Sequence, residues 1–354
     1  MTDALSTPMD RQEFLERLSG YANQTKDRLR DLLPKGEPRD HLYGPIADYV
    51  ETSGKGLRPA LLIATCKAFG GKAQDALTSA AALELLHNAF LIHDDIEDLS
   101  EFRRGRRTMH ERLGVPLAVN VGDAMQAMAL RFLRRNVSDL GATTAWAVFD
   151  EFDHLLTQSL EGQAMELGWI RDNALDVTAA DYLAMTLKKT CWYSFIHPCR
   201  IGALIASGRD HALPVEKLEA FDAFGFYLGA AFQIQDDVLN LIGTQDVYGK
   251  EIYGDIFEGK RTLMLTQLSR LATGGERSKL QEFLALPRAD RTEADVAWVH
   301  ERMQSYDCIP YAKSAAKDLV TAARSKFNVA FADAHGVDKD FIAHLMDYMI
   351  ERDV

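Results

Sequence analysis

The stretch SAAALELLHNAFLIHDDIEDLSEFRRGRR, residues 79–107, decides the fold of this chain. An apolar, helix-forming run leads into a block of acids and then into four arginines. On a helix Asp94 and Asp98 lie on one face, with Asp95 beside them. Like charges at this spacing repel, and apolar surroundings disfavour the ionised form of a carboxyl group. The cluster therefore predicts a bound cation that offsets both effects.

The same pattern occurs twice in the chain. FLIHDDIEDL begins at Phe90 and FQIQDDVLNL begins at Phe232, so both copies share F-x-I-x-D-D-[IV]-x-[DN]-L. A basic segment follows each copy, RRGRR at 103–107 and GKEIYGDIFEGKR at 249–261. A solvated acidic helix end explains one such cluster, but it does not explain two copies in matched apolar contexts. The repeat is a two-fold copy of a functional element, not the short period of a solenoid.

The paired clusters offer carboxylate oxygens without histidine or cysteine, a donor set that favours Mg²⁺. Mg²⁺ binds proteins through a few carboxylates together with waters and substrate phosphates. Two facing clusters therefore predict a cage for Mg²⁺ and a diphosphate, with arginines and lysines neutralising the remaining phosphate charge. The second copy ends in Asn240 where the first has Asp98, which removes one formal charge.

Length and composition limit the class of protein. The 354 residues allow one large domain or two ordinary ones, and 47% hydrophobic with 26% charged residues is ordinary for a globular chain. A net charge of −12 argues against a general nucleic-acid binder. No apolar run has signal-peptide or membrane-spanning character. Four cysteines without a C-x-x-C pair favour reduced thiols in a cytoplasmic protein.

Apolar residues recur at helical spacing along most of the chain, and alternating strand-like runs are lacking. Prolines fall mainly between the periodic segments, and no long flexible linker interrupts them. We therefore expect an all-α fold in which residues 1–354 form a single domain. Several helices are apolar most of the way round, so we expect them at its centre.

From about residue 45 to 265, the sequence resembles the trans-isoprenyl diphosphate synthases (polyprenyl synthetases), which include farnesyl and geranylgeranyl diphosphate synthases. The markers, in chain order, are GKGLRP, ELLHNAFLIHDDIED, RRGRRTMH, NVGDAM, LKKT, FQIQDDVLN and GDIFEGKRT. The resemblance implies a large helical bundle of the isoprenoid synthase type with a central active-site cavity. It also implies a homodimer.

The resemblance carries roles over to individual residues. Asp94, Asp95 and Asp98 look like the first aspartate-rich motif, and Asp236 and Asp237 look like the second. Together they would hold about three Mg²⁺ ions, replaceable by Mn²⁺, against an allylic diphosphate. The metal ligands would be Asp94, Asp95, Asp98 and Asp236.

The remaining site residues divide into three groups on the same resemblance. Contacts to the allylic diphosphate would come from Arg103, Lys189, Lys250 and Lys260. The separate site for isopentenyl diphosphate would use Lys55, Arg58, His87 and Arg104. Thr190 and Gln233 resemble the polar groups near the developing allylic cation.

The implied activity is head-to-tail, trans condensation of isopentenyl diphosphate with an allylic diphosphate. A terpene cyclase on the same fold is one alternative, but a cyclase needs no second diphosphate site. A non-catalytic regulatory subunit is another, but such subunits commonly lose an aspartate-rich motif. A purely structural helical protein leaves the paired aspartates unexplained. Retention of both implied diphosphate sites favours the synthase.

Product length is predicted from the turn of helix before Asp94, where Phe90 and Ala89 lie under the allylic tail. In the family, bulky aromatic residues at both positions close the pocket at C15. Here Ala89 opens one side while Phe90 still obstructs, which predicts the C20 product, geranylgeranyl diphosphate, with farnesyl diphosphate and a C25 product as the alternatives. A nearby aromatic group lines the product tunnel or, the favoured interpretation, packs in a helix core; it comprises Trp192, Tyr193 and Phe195.

Overall fold

A computed structural model describes residues 9–52, 54–208, 213–243 and 252–350. Within those ranges the regular structure consists of helices and one two-stranded hairpin, so the predicted all-α class is confirmed. The first half holds helices α1 Arg11–Leu32, α2 Gly44–Glu51, α3 Leu57–Ala68, α4 Ala73–Glu97, α5 Met109–Leu113, α6 Val115–Leu133, α7 Asn136–Leu140 and α8 Ala142–Arg171.

The second half continues with α9 Ala179–Thr186, α10 His197–Ser207, α11 Val215–Ile242, α12 Gly254–Glu258, α13 Leu263–Leu271, α14 Gly274–Ala285, α15 Glu293–Ser305, α16 Cys308–Ala330 and α17 Val337–Ile350. Two segments, Arg39–Tyr43 and Leu187–Ile196, have the wider hydrogen bonding of a π-helix, and Arg288–Asp290 forms a short 3₁₀ turn. The longer of the two π segments joins α9 to α10 without a break. π-Helical turns are rare and often occur at functional sites.

Local sequence sets several helix ends. The Asp10 side chain accepts a hydrogen bond from the Glu13 N–H at the start of α1. Thr178 and Asp181 form a reciprocal capping box at the start of α9, and Thr292 and Asp295 do the same for α15. These caps satisfy backbone N–H groups that a helix leaves without partners in its first turn.

The hairpin pairs β1 Phe102–Arg103 with β2 Arg106–Arg107 in antiparallel register. The two residues between the strands, Arg104 and Gly105, have φ of 54° and 73°. Positive φ at both central positions is the conformation of a type I′ turn, and glycine adopts it without strain. The turn folds the arginine block of residues 103–107 back towards the end of α4. The expectation of an all-α fold did not include this short hairpin.

The buried apolar residues form two large clusters. One joins α1, α3, α4, α6, α10 and α17, and the other joins α9 with α13–α16. Helix α11 belongs to both, with Phe221 and Phe224 in the first and Ile234 and Val238 in the second. The end of α11 that carries the second aspartate motif is therefore fixed in the second cluster.

Helices α8 and α11 both pack against the π segment Leu187–Ile196. At Gly162 of α8, an added Cβ would lie 2.3 Å from the backbone nitrogen of Lys189, so no larger residue fits. This close approach fixes the height of the π segment beside α8. In the part of the chain that the structure describes, no helix is both long and apolar enough to cross a membrane.

Candidate active site

A cavity of about 360 Å³ lies between α4, α8, the π segment, α11 and residues 255–262. Both aspartate motifs reach it, because Asp94 near the end of α4 and Asp236 and Asp237 near the end of α11 line its wall. Among its lining residues are His87, Phe90, Asp94, Arg103, Lys189, Thr190, Gln233, Asp236, Asp237 and Lys260. The cavity therefore brings together candidate site residues that are distant in sequence.

In the first motif, the carboxylates of Asp94 and Asp95 face cationic side chains. Asp94 lies 3.5 Å from Arg103 Nη2 and 3.5 Å from Lys189 Nζ. Asp95 is 1% exposed and accepts a 2.5 Å hydrogen bond from Arg103 Nε. Burial disfavours the charged guanidinium, but Asp95 and Asp94 outweigh it and raise the pKa of Arg103. Asp94 lines the cavity, and Asp95 packs behind it.

Asp98 takes a different direction from the one that the sequence predicts. Helix α4 ends at Glu97, and Asp98 caps it beside Leu99, whose φ is +54°. The Asp98 carboxylate accepts a 2.7 Å hydrogen bond from Lys260 Nζ and lines a second cavity of about 300 Å³. Burial raises the pKa of Asp98 to about 7, against the opposing effect of Lys260. Asp94 and Asp98 therefore do not converge on one cavity.

In the second motif, the described partners of Asp237 are neutral groups. Asp236 and Asp237 both line the main cavity. Asp237 accepts hydrogen bonds from Tyr182 Oη at 2.7 Å and from Gln233 Nε2 at 2.8 Å. Burial raises the pKa of Asp237 to about 7. Asn240 lines the second cavity and accepts a 3.1 Å hydrogen bond from the backbone N–H of Asp255.

The π segment supplies Lys189 and Thr190 to the cavity. Lys189 forms an ion pair with Glu166 of α8 and approaches Asp94. Burial opposes the charge on Lys189, yet these two carboxylates raise its pKa above the ordinary value. Thr190 Oγ1 donates a 2.9 Å hydrogen bond to Gln233 Oε1, which ties the π segment to α11.

A second cationic group surrounds Arg58 at the start of α3. Its guanidinium contacts His87 Nε2 at 3.2 Å, Ser194 Oγ at 3.0 Å and Tyr193 Oη at 2.9 Å. Arg58 and His87 line the main cavity, as does Arg104. The last donates a 3.4 Å hydrogen bond to the carbonyl of Thr52.

The resemblance also assigns two further lysines, Lys55 and Lys250, to the diphosphate sites. Lys55 is exposed, and its amino group donates a hydrogen bond to the hydroxyl of Tyr348 in α17. It does not line either cavity described above. Lys250 lies outside the described residues.

The positions that were expected to set product length divide on either side of the cavity wall. Phe90 lines the cavity, whereas Ala89 is fully buried and does not line it. Of the aromatic group, Tyr193 lines the cavity and meets Phe90 edge to face at 5.6 Å. Trp192 packs against His154 and His197, and Phe195 is buried against Phe232. Trp192 and Phe195 therefore show the favoured packing in a helix core, whereas Tyr193 packs against the core and also lines the cavity.

Comparison with known proteins places the chain. The profile of the Polyprenyl synthetase family matches residues 39–303. The chain belongs to the polyprenyl synthetase family. The short chain isoprenyl diphosphate synthase of Methanothermobacter thermautotrophicus is 31% identical over 342 residues, which cover 96% of this chain and 99% of that protein. A geranylgeranyl diphosphate synthase of Saccharolobus solfataricus is 35% identical over 72% of this chain and 75% of its own length.

The fold agrees with that assignment. A crystal structure of geranylgeranyl pyrophosphate synthetase from Pyrococcus horikoshii Ot3 superposes with a TM-score of 0.83 at 28% identity, covering 97% of this chain and 99% of that one. As a polyprenyl synthetase, the chain is a trans-prenyltransferase, as its sequence predicts.

The donor chemistry of this polyprenyl synthetase suits a divalent cation, although its described side chains do not yet form a cage. Among the described residues, no three acidic, histidine or cysteine side chains converge closely enough to hold a metal ion. Asp94, Asp236 and Asp237 nonetheless line one cavity with carboxylate oxygens, the ligands that Mg²⁺ prefers. Within the described part of the chain, Asp237 is buried with neutral hydrogen-bond donors, an unfavourable environment that a bound cation relieves.

Three residues of the site escaped the sequence analysis. Glu166 pairs with Lys189, Tyr182 donates to Asp237, and Glu258 lies 2.7 Å from Lys260. A signal for Glu166 was present, because Ser159, Gln163 and Glu166 form a polar stripe at helical spacing on α8 and all line the cavity. Tyr182 carries no comparable signal, because its partner Asp237 lies 55 residues further along the chain. Glu258 lies two residues before Lys260 within the GDIFEGKRT marker, but nothing in that segment alone distinguishes it as a site residue.

Proposed function

We propose that this prenyltransferase condenses isopentenyl diphosphate with an allylic diphosphate and releases geranylgeranyl diphosphate as its main product. One observation carries the proposal: the two aspartate motifs face one cavity that also holds a separate cationic group around Arg58 and His87. Two proposed diphosphate-binding sites within one partly apolar cavity suit a reaction between two diphosphates. A cyclase would need the aspartate motifs but not the Arg58 group.

The residues of the chain divide the work of this reaction. Lys189, Lys260 and Arg103 supply positive charge to the allylic diphosphate, which leaves with the electrons of the breaking C–O bond. Mg²⁺, when bound, would add to this neutralisation as a Lewis acid. Thr190 and Gln233 turn polar oxygens toward the carbon that becomes positive.

The Arg58 group would hold the second substrate so that its double bond attacks that carbon. Fixed proximity of the two reactants removes much of the entropic barrier to bond formation. A new C–C bond forms, a proton leaves the neighbouring carbon, and the released diphosphate accepts it. This sequence requires no general base from the chain.

For the metal we propose Mg²⁺ held by Asp94, Asp95, Asp98 and Asp236, with Mn²⁺ as a substitute. Asp94 and Asp236 already line the cavity and are the first ligands in this proposal. Asp95 and Asp98 would join after Arg103 and Lys260 turn away from them.

A C20 product is the finer part of the proposal. Phe90 narrows the cavity below Asp94, and Ala89 adds no bulk beside it. Two of the similar proteins bear names of geranylgeranyl diphosphate synthases. Replacing Ala89→Phe should shift the product toward C15, and Phe90→Ala should shift it toward C25. Unchanged product lengths in both variants would show that other residues set the product length.

The proposed function is tested by incubating the purified protein with Mg²⁺, isopentenyl diphosphate and each allylic primer in turn. Mass spectrometry should show linear diphosphates that end at C20. Arg58→Ala and His87→Ala should mainly raise the KM for isopentenyl diphosphate, and Lys189→Ala should mainly impair use of the primer. Cyclic hydrocarbons formed without isopentenyl diphosphate would support a cyclase, and a lack of any turnover would support a regulatory subunit.

We also propose that the protein works as a homodimer in the cytoplasm. Val115 and Val119, one turn apart on α6, and Trp146 on α8 are exposed apolar side chains that a second copy could cover. All four cysteines are free and buried, as expected of reduced thiols. Light scattering of the purified protein should give twice the mass of the chain, and a monomer at micromolar concentration would contradict the dimer.

A further inference from the structure

Tyr193 on the π segment touches two parts of the cavity that the proposed function treats separately. Its hydroxyl accepts a 2.9 Å hydrogen bond from Arg58 Nη2, in the group proposed to hold isopentenyl diphosphate. Its ring meets Phe90 edge to face at 5.6 Å, at the proposed floor of the product cavity. No other residue of the aromatic group 192–195 lines this cavity.

The contact with Arg58 fixes the guanidinium in two ways. Besides the hydrogen bond, the guanidinium carbon lies over the tyrosine ring, 4.6 Å from its centroid. Ser194 Oγ accepts from Arg58 Nε at 3.0 Å, so adjacent residues of one helical turn hold two edges of the fork. A guanidinium held this way keeps a set orientation toward the cavity and loses less entropy when it binds an anion.

The contact with Phe90 depends on the ring and not on the hydroxyl. Phe90 and Tyr193 come from α4 and the π segment, and the pair closes one wall of the cavity between these elements. Removing the Tyr193 ring would enlarge the cavity by about the volume of a five-carbon isoprene unit. A wall made by two rings in contact would limit chain growth more than the Phe90 ring alone.

We propose that Tyr193 is a positioning and specificity residue with two separable functions: its hydroxyl orients Arg58 for the second diphosphate, and its ring sets product length together with Phe90. The proposal rests on the proposed function, and the experiments keep the two apart. Wild-type protein that makes no prenyl diphosphate contradicts the proposed function, whereas the variants below bear on Tyr193 alone.

The first experiment removes only the hydroxyl. Tyr193→Phe should raise the KM for isopentenyl diphosphate by about fivefold to tenfold, because a hydrogen bond to a charged group is lost. The kcat, the KM for the allylic primer and the product length should stay as in the wild type. Tyr306→Phe is the matched control, because Tyr306 donates its hydroxyl to Glu276 away from the cavity. An unchanged KM in Tyr193→Phe would overturn the first function.

The second experiment removes the ring. Tyr193→Ala should give products one isoprene unit longer, whereas Tyr193→Phe should not, because the phenylalanine ring keeps the contact with Phe90. Tyr193→Leu, which keeps apolar bulk, is included in case the alanine variant unfolds, and thermal unfolding monitors all three. The Tyr193→Leu variant should give product lengths intermediate between those of the wild type and of Tyr193→Ala.

A double variant completes the design. If the two rings form one wall, Phe90→Ala and Tyr193→Ala should not add, and the double variant should lengthen the product by less than the combined single effects. Folded Tyr193→Ala and Tyr193→Leu proteins with wild-type product lengths would overturn the second function. Additive lengthening would overturn the shared wall.

Discussion

The two aspartate motifs share a sequence pattern but differ in how the protein balances their charge. In the first motif the partners are cations: Arg103 faces Asp95, and Lys260 faces Asp98. In the second, Asp237 is hydrogen-bonded by a tyrosine hydroxyl and a glutamine amide. The first motif therefore carries its own counter-charges, whereas the described hydrogen-bond partners of Asp237 in the second motif are neutral donors.

The difference explains why the last aspartate of the first copy is an asparagine in the second. Asp98 and Asn240 occupy matching positions and line the same second cavity. Lys260 reaches Asp98, whereas the backbone N–H of Asp255 reaches Asn240. An amide oxygen satisfies a backbone N–H without adding charge to a cavity that already contains Asp98, Asp255 and Glu258. Asparagine thus suits its position, and the weaker formal charge of the second motif is a consequence of its surroundings.

The largest effect should come from removing one cavity-lining carboxylate in each motif. Asp94→Ala and Asp236→Ala should each lower kcat/KM by about a thousandfold or more, because each removes a proposed ligand of the diphosphate-binding metal. EDTA should abolish wild-type turnover, and added Mg²⁺ or Mn²⁺ should restore it. Steady-state assays measure all of these effects. Full activity without a divalent cation, or in either variant, would end the parallel between the motifs.

The next effect concerns stability and tests the cationic balance of the first motif. Lys260→Met should lower the free energy of unfolding of the metal-free protein at pH 8, above the pKa of Asp98, by about 3–5 kcal/mol, since it leaves both the Asp98 and the Glu258 carboxylates buried without the cation that they share. Lys188→Met is the control, because Lys188 pairs with Glu161 in a more exposed position and should cost less than about 1 kcal/mol. Urea unfolding compares the two variants. Equal losses would show that Lys260 does not balance a buried charge.

A smaller loss should follow from the matching change in the second motif. Tyr182→Phe removes one of the two neutral donors to Asp237 and should lower the free energy of unfolding by about 2 kcal/mol. The same urea titration measures it, with Tyr306→Phe as the control for loss of a tyrosine hydroxyl. A loss as large as that of Lys260→Met would remove the distinction between cationic and neutral balance.

The smallest effect is predicted for Asn240→Asp, which makes the two motifs identical at this position. The new carboxylate can still accept from the Asp255 N–H, but it adds a like charge to the second cavity. We expect a loss of about 1 kcal/mol in metal-free buffer at pH 8 and a smaller loss at pH 6, where the added carboxyl group is protonated more often. A gain in stability at pH 8 would mean that this cavity lacks negative charge.

Much of this architecture was predictable from local sequence. The apolar run before Asp94 forms the buried helix α4, and the repeated motif at Phe232 lies at the matching end of α11. Their convergence on one cavity follows from a chemical argument, because clustered carboxylates need a shared cation. Lys189, Thr190 and Gln233 also reach that cavity, as the resemblance implied.

The rest depends on contacts that no local pattern encodes. Helical periodicity places Asp98 on the face of Asp94, but the helix ends between them and Lys260, far along the chain, draws Asp98 into another cavity. Whether an aromatic residue lines a cavity or a core depends on which neighbouring helix it meets. Tyr193 meets Phe90 and Arg58, whereas its neighbour Trp192 meets His154. Such pairings exist only after the helices pack.

We infer that a metal-bound diphosphate takes over the cations that now balance the first motif. The most direct test is a crystal structure with Mg²⁺ and a thiolo analogue of the allylic diphosphate that cannot ionise. We predict a diphosphate between Asp94 and Asp236, with Mg²⁺ bound to both carboxylates. Lys189 should turn away from Glu166, and Lys260 away from Asp98, so that both contact the diphosphate oxygens. An analogue bound elsewhere, with the Lys189–Glu166 and Lys260–Asp98 pairs intact, would contradict it.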